Sequence, residues 1–274
     1  MTQSYKVFEI EKKDHIAWVF MSRPDKLNAC GPVFWKEIID VMREMDTDDD
    51  VRVVILAGRG KAFTTGIDLI GMVSEVPALT EPNVQGNKRF KFVKDIVRLQ
   101  ESMTCVDRCR KPVIAAVHGW CIGAGVDLIS ACDIRLASAD AQFSVREARI
   151  GIVADVGTLQ RLPRIIGEGH TKELTYTAKD ITAARAKEIG LLNEVYADKD
   201  ALYAAAQEMA QEISDSSPLA VMAAKEVINY CRDKSVADGL DYVANRSANI
   251  LPSEDFYEAI AAFSERRKPR FTGK

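Results

Sequence analysis

The chain has 274 residues, 47% of them apolar and 28% charged, with a formal net charge of −3. That composition is globular, and the length allows one large domain or two small ones with a sizeable core. The weak charge argues against a nucleic-acid footprint, which needs a clustered basic excess, and no apolar run reaches the ~18 residues of a membrane span.

The six cysteines form no Cys-x-x-Cys pair, and only three histidines are present. This favours buried reduced thiols over a zinc site. The first fifteen residues are polar and charged and lack the apolar segment of a secretory signal. The last three, Thr272-Gly273-Lys274, are not the peroxisomal Ser-Lys-Leu address. The expectation from these two absences is a cytoplasmic protein.

In chain order, residues 6–10 alternate as a strand and residues 16–21 are rich in β-formers. Residues 22–31 read as a loop, and Pro32 suits the first position of a helix running to Met45. Residues 46–50 are an acidic turn. Residues 51–57, apolar apart from Arg52, read as a buried parallel strand. A glycine-punctuated loop, 58–69, turns into a short helix. Residues 74–88, with two prolines and a glycine, read as a mobile surface loop, and a helix follows over 90–108.

The middle of the chain repeats that grammar. Residues 112–117 are a buried strand, 118–125 a loop with three glycines, 126–131 a helix and 134–137 a short strand. Two rounds of buried strand, glycine loop and helix imply an α/β fold of stacked ββα or βα turns rather than one flat sheet. From about Thr182 the chain is alanine-rich and helical over 182–189, 199–214, 218–234, 236–250 and 253–264, with a basic tail after it.

Two features carry chemistry. Each glycine loop leads into a helix N-terminus, with Ile67 and Ala124 at matching places. Two N–H groups aimed at one point there would make an oxyanion hole; ordinary tight turns are the alternative. The second feature is three carboxylates, Asp127, Glu147 and Asp155. Asp155 stands among small apolar residues, so it is either a helix cap or a catalytic acid. Asp127 and Glu147, taken singly, also read as solvated acids. Asp133, in the sequence Asp133-Ile134-Arg135, suggests a structural ion pair with Arg135.

The string His118-Gly119 … Gly123-Ala124-Gly125-Val126-Asp127-Leu128 … Ala131-Cys132-Asp133-Ile134-Arg135 resembles the crotonase (enoyl-CoA hydratase/isomerase) superfamily. So do Ala62-Phe63-Thr64-Thr65-Gly66-Ile67-Asp68-Leu69, Arg23-Pro24-Asp25-Lys26-Leu27-Asn28-Ala29 and Gly157-Thr158-Leu159-Gln160-Arg161-Leu162-Pro163. The resemblance implies a crotonase-like spiral of ββα turns over residues 1–197, holding the acyl-CoA site, and a helical C-terminal trimerisation region over 198–274.

Within the family the chain is most similar to the Δ3,5-Δ2,4-dienoyl-CoA isomerases. Ile67 stands where hydratases have alanine, Asp127 where they have glutamate, and Asp155 where they have glycine. Ala124, where hydratases usually have glycine, keeps the backbone donor but narrows the pocket. The resemblance makes Asp127, Glu147 and Asp155 the catalytic acids and the backbone N–H groups of Ile67 and Ala124 the oxyanion hole. It places substrate on Lys26, Leu27, Ala62, Thr65, Gly66, Asp68 and Leu69. It implies no metal and no cofactor, coenzyme A being part of the acyl-CoA substrate, and a homotrimer or homohexamer in which Phe263 and Lys268 touch a neighbour's nucleotide.

The implied reaction shifts both double bonds of a 3,5-dienoyl-CoA in fatty-acid β-oxidation. The rival readings are a 2-enoyl-CoA hydratase, which would leave Asp155 idle, and a non-catalytic acyl-CoA- or RNA-binding relative, which would be expected to lack the acids.

Overall fold

The computed structural model describes residues 4–75 and 86–274. The loop expected over 74–88 falls largely outside them. The chain opens with a hairpin of β1 (Phe8–Lys13) and β2 (Ile16–Met21). Its two turn residues, Asp14 and His15, both have positive φ, as a two-residue turn matched to strand twist needs. After α1 (Pro32–Thr47) the chain lays down β3 (Val53–Gly58) parallel to β2. Then come α2 (Leu69–Glu75), α3 (Gly86–Arg108) and β4 (Val113–Val117), parallel to β3.

The second round is β5 (Trp120–Ile122), α4 (Ala124–Ser130), β6 (Ile134–Ser138) and β7 (Gln142–Ser144). A kinked α5 (Thr158–Thr177), β8 (Ile181–Thr182), α6 (Ala183–Glu188) and β9 (Glu194–Tyr196) follow. The strands form one sheet in the order β1-β2-β3-β4-β6-β9 and a second, small sheet, β5-β7-β8. The expected departure from a single flat sheet is therefore present, because β5 leaves the line of β4 and pairs with β7 instead.

β3 and β4 are buried along their whole length. Alternate residues serve two cores, because successive side chains of a strand point to opposite faces. Val54, Leu56, Ala115 and Val117 pack with Phe34, Trp35, Ile38, Val41, Met42 and Met45 of α1. Val53, Ile55, Ile114 and Ala116 pack with Leu202, Ala206 and Ala210 of α7 (Lys199–Ser214). The spacing of four puts that stripe on one face of α7. Asp198, just past residue 197, caps α7 through Ala201 N–H, and α7 itself walls the core. Beyond it lie α8 (Pro218–Tyr230), α9 (Val236–Ile250) and α10 (Glu254–Glu265). Among the described residues no helix is long and apolar enough to cross a membrane.

α5 went unread in the sequence because Pro163 lies inside it and Gly167, with φ 78°, breaks its geometry. Strands β5, β7, β8 and β9 have two or three residues each. At that length periodicity carries no signal, and the strands exist through pairing. One ion pair is also corrected. Asp133 pairs with Lys225 of α8 at 2.7 Å, not with Arg135. Arg135 points the other way and donates to the carbonyls of Leu191 and Cys132, at 2.8 and 2.7 Å. Asp133 precedes β6 and so lies outside the strand's alternation, which leaves its carboxylate free to turn toward α8 while Arg135, inside the strand, turns toward Leu191 and Cys132. All six cysteines are free, and Cys30, Cys109, Cys121 and Cys132 are buried.

Candidate active site

The site is built where the loops 22–31, 58–68 and 118–125 run side by side. Cys30 N–H donates to the Gly66 carbonyl at 2.7 Å, and Asp68 N–H donates to the Cys30 carbonyl at 3.1 Å. Thr64 N–H reaches the Trp120 carbonyl at 2.9 Å, and Ile122 N–H the Thr64 carbonyl at 3.1 Å. Since Gly66 and Asp68 both bond toward Cys30, the peptide N–H of Ile67 between them faces the opposite side. Ala124 is the first residue of α4, a position whose N–H has no partner within the helix. Among the described residues neither N–H makes a backbone bond outside the regular elements.

The two loops touch at Gly66. A Cβ at Gly66 would lie 2.7 Å from the Ile122 carbonyl oxygen and 3.6 Å from the Ala124 nitrogen, and its φ of +86° is one that side chains resist. Only glycine lets the first loop come this close to the mouth of α4.

Two of the acids lie at that mouth, and the third, Asp155, is near enough for its charge to act on both. Asp127, in the first turn of α4, is 1% exposed, and its Oδ1 accepts the Thr158 N–H at 2.6 Å. Burial, and then the nearby Asp155 charge, push its carboxyl up to about 6 against the pull of Thr158 and Arg161. Glu147 opens a short 3-10 turn, Glu147–Ile150, and is buried. Its Oε1 lies 3.0 Å from where a Cβ at Gly123 would stand, so the carboxyl overhangs the residue before Ala124. Its Oε2 is buried without a hydrogen-bond partner. Burial, then the charge of Asp127, drive Glu147 up to about 7.

Asp155 is exposed as a residue, yet partial withdrawal from water still raises its carboxyl. Its carbonyl accepts the Gln100 side-chain N–H at 2.8 Å. Of the three acids Asp155 alone lines the cleft of about 1050 Å³ between α3, α5 and α8. A buried carboxyl near neutrality beside two further acids can take up and release protons at neutral pH, which is the property acid–base chemistry requires.

The other expected substrate residues are distributed unevenly around this centre. Lys26 and Leu27 are exposed on the first loop. Thr65 is partly buried, and its N–H bonds the Leu27 carbonyl at 3.2 Å. Leu69 is 45% exposed at the start of α2. Ala62 is fully buried, its carbonyl held by the Asn28 amide at 2.8 Å. Asp68 has structural work: it lies 3.3 Å from Arg23 and accepts the Gly71 N–H of α2 at 3.0 Å. Three residues that organise the acids had no role assigned from sequence: Thr158, Arg161 and Gln100. Thr158 and Arg161 lie in a motif already singled out. Gln100 offers no local signal.

Residues 11–274 match the family model described as enoyl-CoA hydratase/isomerase. The human mitochondrial Δ3,5-Δ2,4-dienoyl-CoA isomerase is 42% identical over 269 residues, covering 97% of this chain and 80% of the human one. The peroxisomal enzyme of that name from Arabidopsis thaliana is 43% identical, covering 98% of both chains. Among solved structures, a putative enoyl-CoA hydratase from Streptomyces coelicolor superposes with a TM-score of 0.90 at 29% identity, over 100% of this chain and 97% of that one. An enoyl-CoA hydratase from Bacillus anthracis superposes with a TM-score of 0.88 at 30% identity, over 98% and 100%.

The mitochondrial and peroxisomal relatives overturn the expectation of a cytoplasmic protein. Its two grounds tested only the secretory and Ser-Lys-Leu addresses and bore on no mitochondrial route. With the family model spanning nearly the whole length and the crotonase fold shared by its structural neighbours, the chain belongs to the enoyl-CoA hydratase/isomerase, or crotonase, family.

Proposed function

We propose that the protein converts a 3,5-dienoyl-CoA into the 2,4-dienoyl-CoA, as a step of fatty-acid β-oxidation. The observation that carries this reading is a third acid, Asp155, close enough to Asp127 and Glu147 for its charge to act on both. The names of the dienoyl-CoA isomerases among its relatives support the same reading.

The thioester carbonyl oxygen sits between the N–H groups of Ile67 and Ala124. Glu147, beside Gly123 at that mouth, removes the proton from C2, next to the carbonyl. The electron pair moves through the diene to the oxygen, and the two N–H groups hold the dienolate charge. Asp155, on the cleft side, delivers a proton to C6. The C3=C4 and C5=C6 bonds become C2=C3 and C4=C5. Glu147 ends protonated and Asp155 ionised, and Asp127, whose charge acts on Glu147, helps restore the starting state. Each proton moves to or from a carboxyl group, so the sequence of steps needs neither metal nor cofactor; coenzyme A arrives as part of the substrate.

The first loop, with Lys26 and Leu27, and the segment of Ala62, Thr65, Gly66, Asp68 and Leu69 frame the thioester. Exposed apolar side chains on α9 and α10, among them Val236, Leu240, Tyr257, Ile260 and Phe263, support a homotrimer or homohexamer, with Phe263 and Lys268 reaching a neighbour's nucleotide. Light scattering of the purified protein checks the assembly; a monomer at micromolar concentration would count against it. The reaction is tested by giving purified protein 3,5-octadienoyl-CoA and, separately, a 2-enoyl-CoA. Isomerisation should dominate and should collapse in Asp155→Asn. Hydration that outpaces isomerisation, or isomerisation that survives Asp155→Asn, would sink the reading.

A further inference from the structure

Arg161 takes no part in the reaction as drawn, yet it is placed to govern two of the acids. Its own N–H bonds the Gly157 carbonyl at 3.0 Å, and its guanidinium folds back over Gly157. A Cβ at Gly157 would lie 1.8 Å from Nη1, so the missing side chain of Gly157 is the space the guanidinium occupies. Gly157 also has a φ of +139°, which an L side chain rarely adopts. The far side of the fork donates to Thr104 Oγ1 at 3.2 Å and faces Asp107 Oδ2 at 3.9 Å, both residues of α3. Asp107 in turn accepts two bonds from Arg232, just beyond α8, at 2.8 and 3.0 Å.

The turn that Arg161 covers runs from Asp155 to Thr158. At one end Gln100 of α3 holds the Asp155 carbonyl. At the other, Thr158 N–H is the group bonded to Asp127. The guanidinium is buried enough for its field to reach the Asp127 carboxylate, where it opposes the effect of burial.

We propose that Arg161 is a positioning residue, which clamps the turn from Asp155 to Thr158 onto α3 and so fixes Asp127 and Asp155 relative to substrate. This rests on the reaction proposed above. Through Asp107 and Arg232 the clamp also ties the acids to the helical C-terminal region. A planar fork with several fixed donors suits the task better than a lysine, which is a point charge on a flexible stem.

The test has an arm with substrate and an arm without. In the first, Arg161→Gln should lower kcat by about 10- to 100-fold while KM stays within about twofold, since a misplaced acid slows proton transfer more than binding. Arg161→Lys should fall between Arg161→Gln and wild type. Wild type is the control: if it fails to isomerise, the proposed reaction fails, and the second arm decides the clamp.

That arm is a thermal-stability cycle of Arg161→Gln, Asp127→Asn and the double variant at pH 8. Coupled residues should depart from additivity by about 2 °C or more. Additive shifts, or an Arg161→Gln enzyme with kcat within about twofold of wild type, would overturn the proposal. Should Arg161→Gln not fold, Thr104→Val replaces it, and a fall in kcat of about threefold at constant KM is expected from loss of that one bond. An unchanged kcat would then overturn the proposal.

Discussion

Two carboxylates lie close together in sequence and meet opposite fates. Asp133 and Glu147 both leave the bulk solvent, one beside β6 and one past β7. Asp133 Oδ2 is met by Lys225 Nζ and by Val113 N–H, each at 2.7 Å. Lys225, itself buried, also donates to the Lys111 carbonyl at 3.0 Å. Among the described residues Glu147 has no cation against it and one oxygen without a partner. A buried charge that is paired and fully bonded holds structure together, while a buried acid left unpaired is held in an unfavourable state that the fold must offset elsewhere. The first arrangement pins α8 to the sheet. The second stores a carboxyl whose proton is ready to move near pH 7.

The contrast can be broken most sharply at Glu147. Glu147→Gln should cut isomerisation by about 10³-fold or more, within the usual range for a general base, and yet leave a protein at least as stable as wild type. Asp155→Asn comes next, at about 10²-fold or more, with little effect on melting because Asp155 is exposed. Lys225→Met should do the reverse. Stranding Asp133 should lower stability by about 3–5 kcal/mol in chemical denaturation, with kcat of the folded fraction nearly unchanged. If Lys225→Met were neutral for stability, the distinction drawn between the two acids would not hold.

The pH dependence sharpens the same contrast. Burial raises Glu147 from its ordinary 4.5 to about 7 and Asp127 from 3.8 to about 6. The fold therefore favours their protonated forms. That stabilisation is fully present below about pH 4 and is lost as pH rises through 6 to 7. Glu147→Gln should accordingly melt several degrees above wild type at pH 8 and show no such gain at pH 4. In turnover, the base must be ionised, so kcat/KM should fall as pH drops below about 7. The apparent midpoint belongs to the group of acids rather than to one of them. A midpoint near an ordinary carboxylate value would contradict the buried, unpaired state of Glu147. The smallest effect is expected of Ala124→Gly, which keeps the backbone donor and should change kcat by no more than about threefold.

Much of this was legible along the chain. The apolar segments β3 and β4 declared themselves as buried strands, and the glycine loops before α2 and α4 stood out as backbone of the candidate site. The start of α1 at Pro32 was readable, and its end to within two residues. Asp155 stood out only because small apolar residues surround it, and that setting fitted a helix cap equally well. Glu147 reaches α4 because β5 pairs with β7, and the turn that carries Asp155 is drawn in by the bond from Thr158 N–H to Asp127.

By itself, then, the sequence determined the elements whose signal is local: long apolar strands, capped amphipathic helices and loops where only glycine fits. It also carried the family likeness, because motifs preserve residue identity at short range. Tertiary structure alone decided which charges are paired. Asp133 found Lys225, 92 residues away, rather than Arg135 two positions on. Arg161 found Gly157, Thr104 and Asp107, and Glu147 found no partner for one oxygen. Electrostatic energy depends on distance and on exclusion of water, and both are fixed only when segments far apart in the chain are brought together.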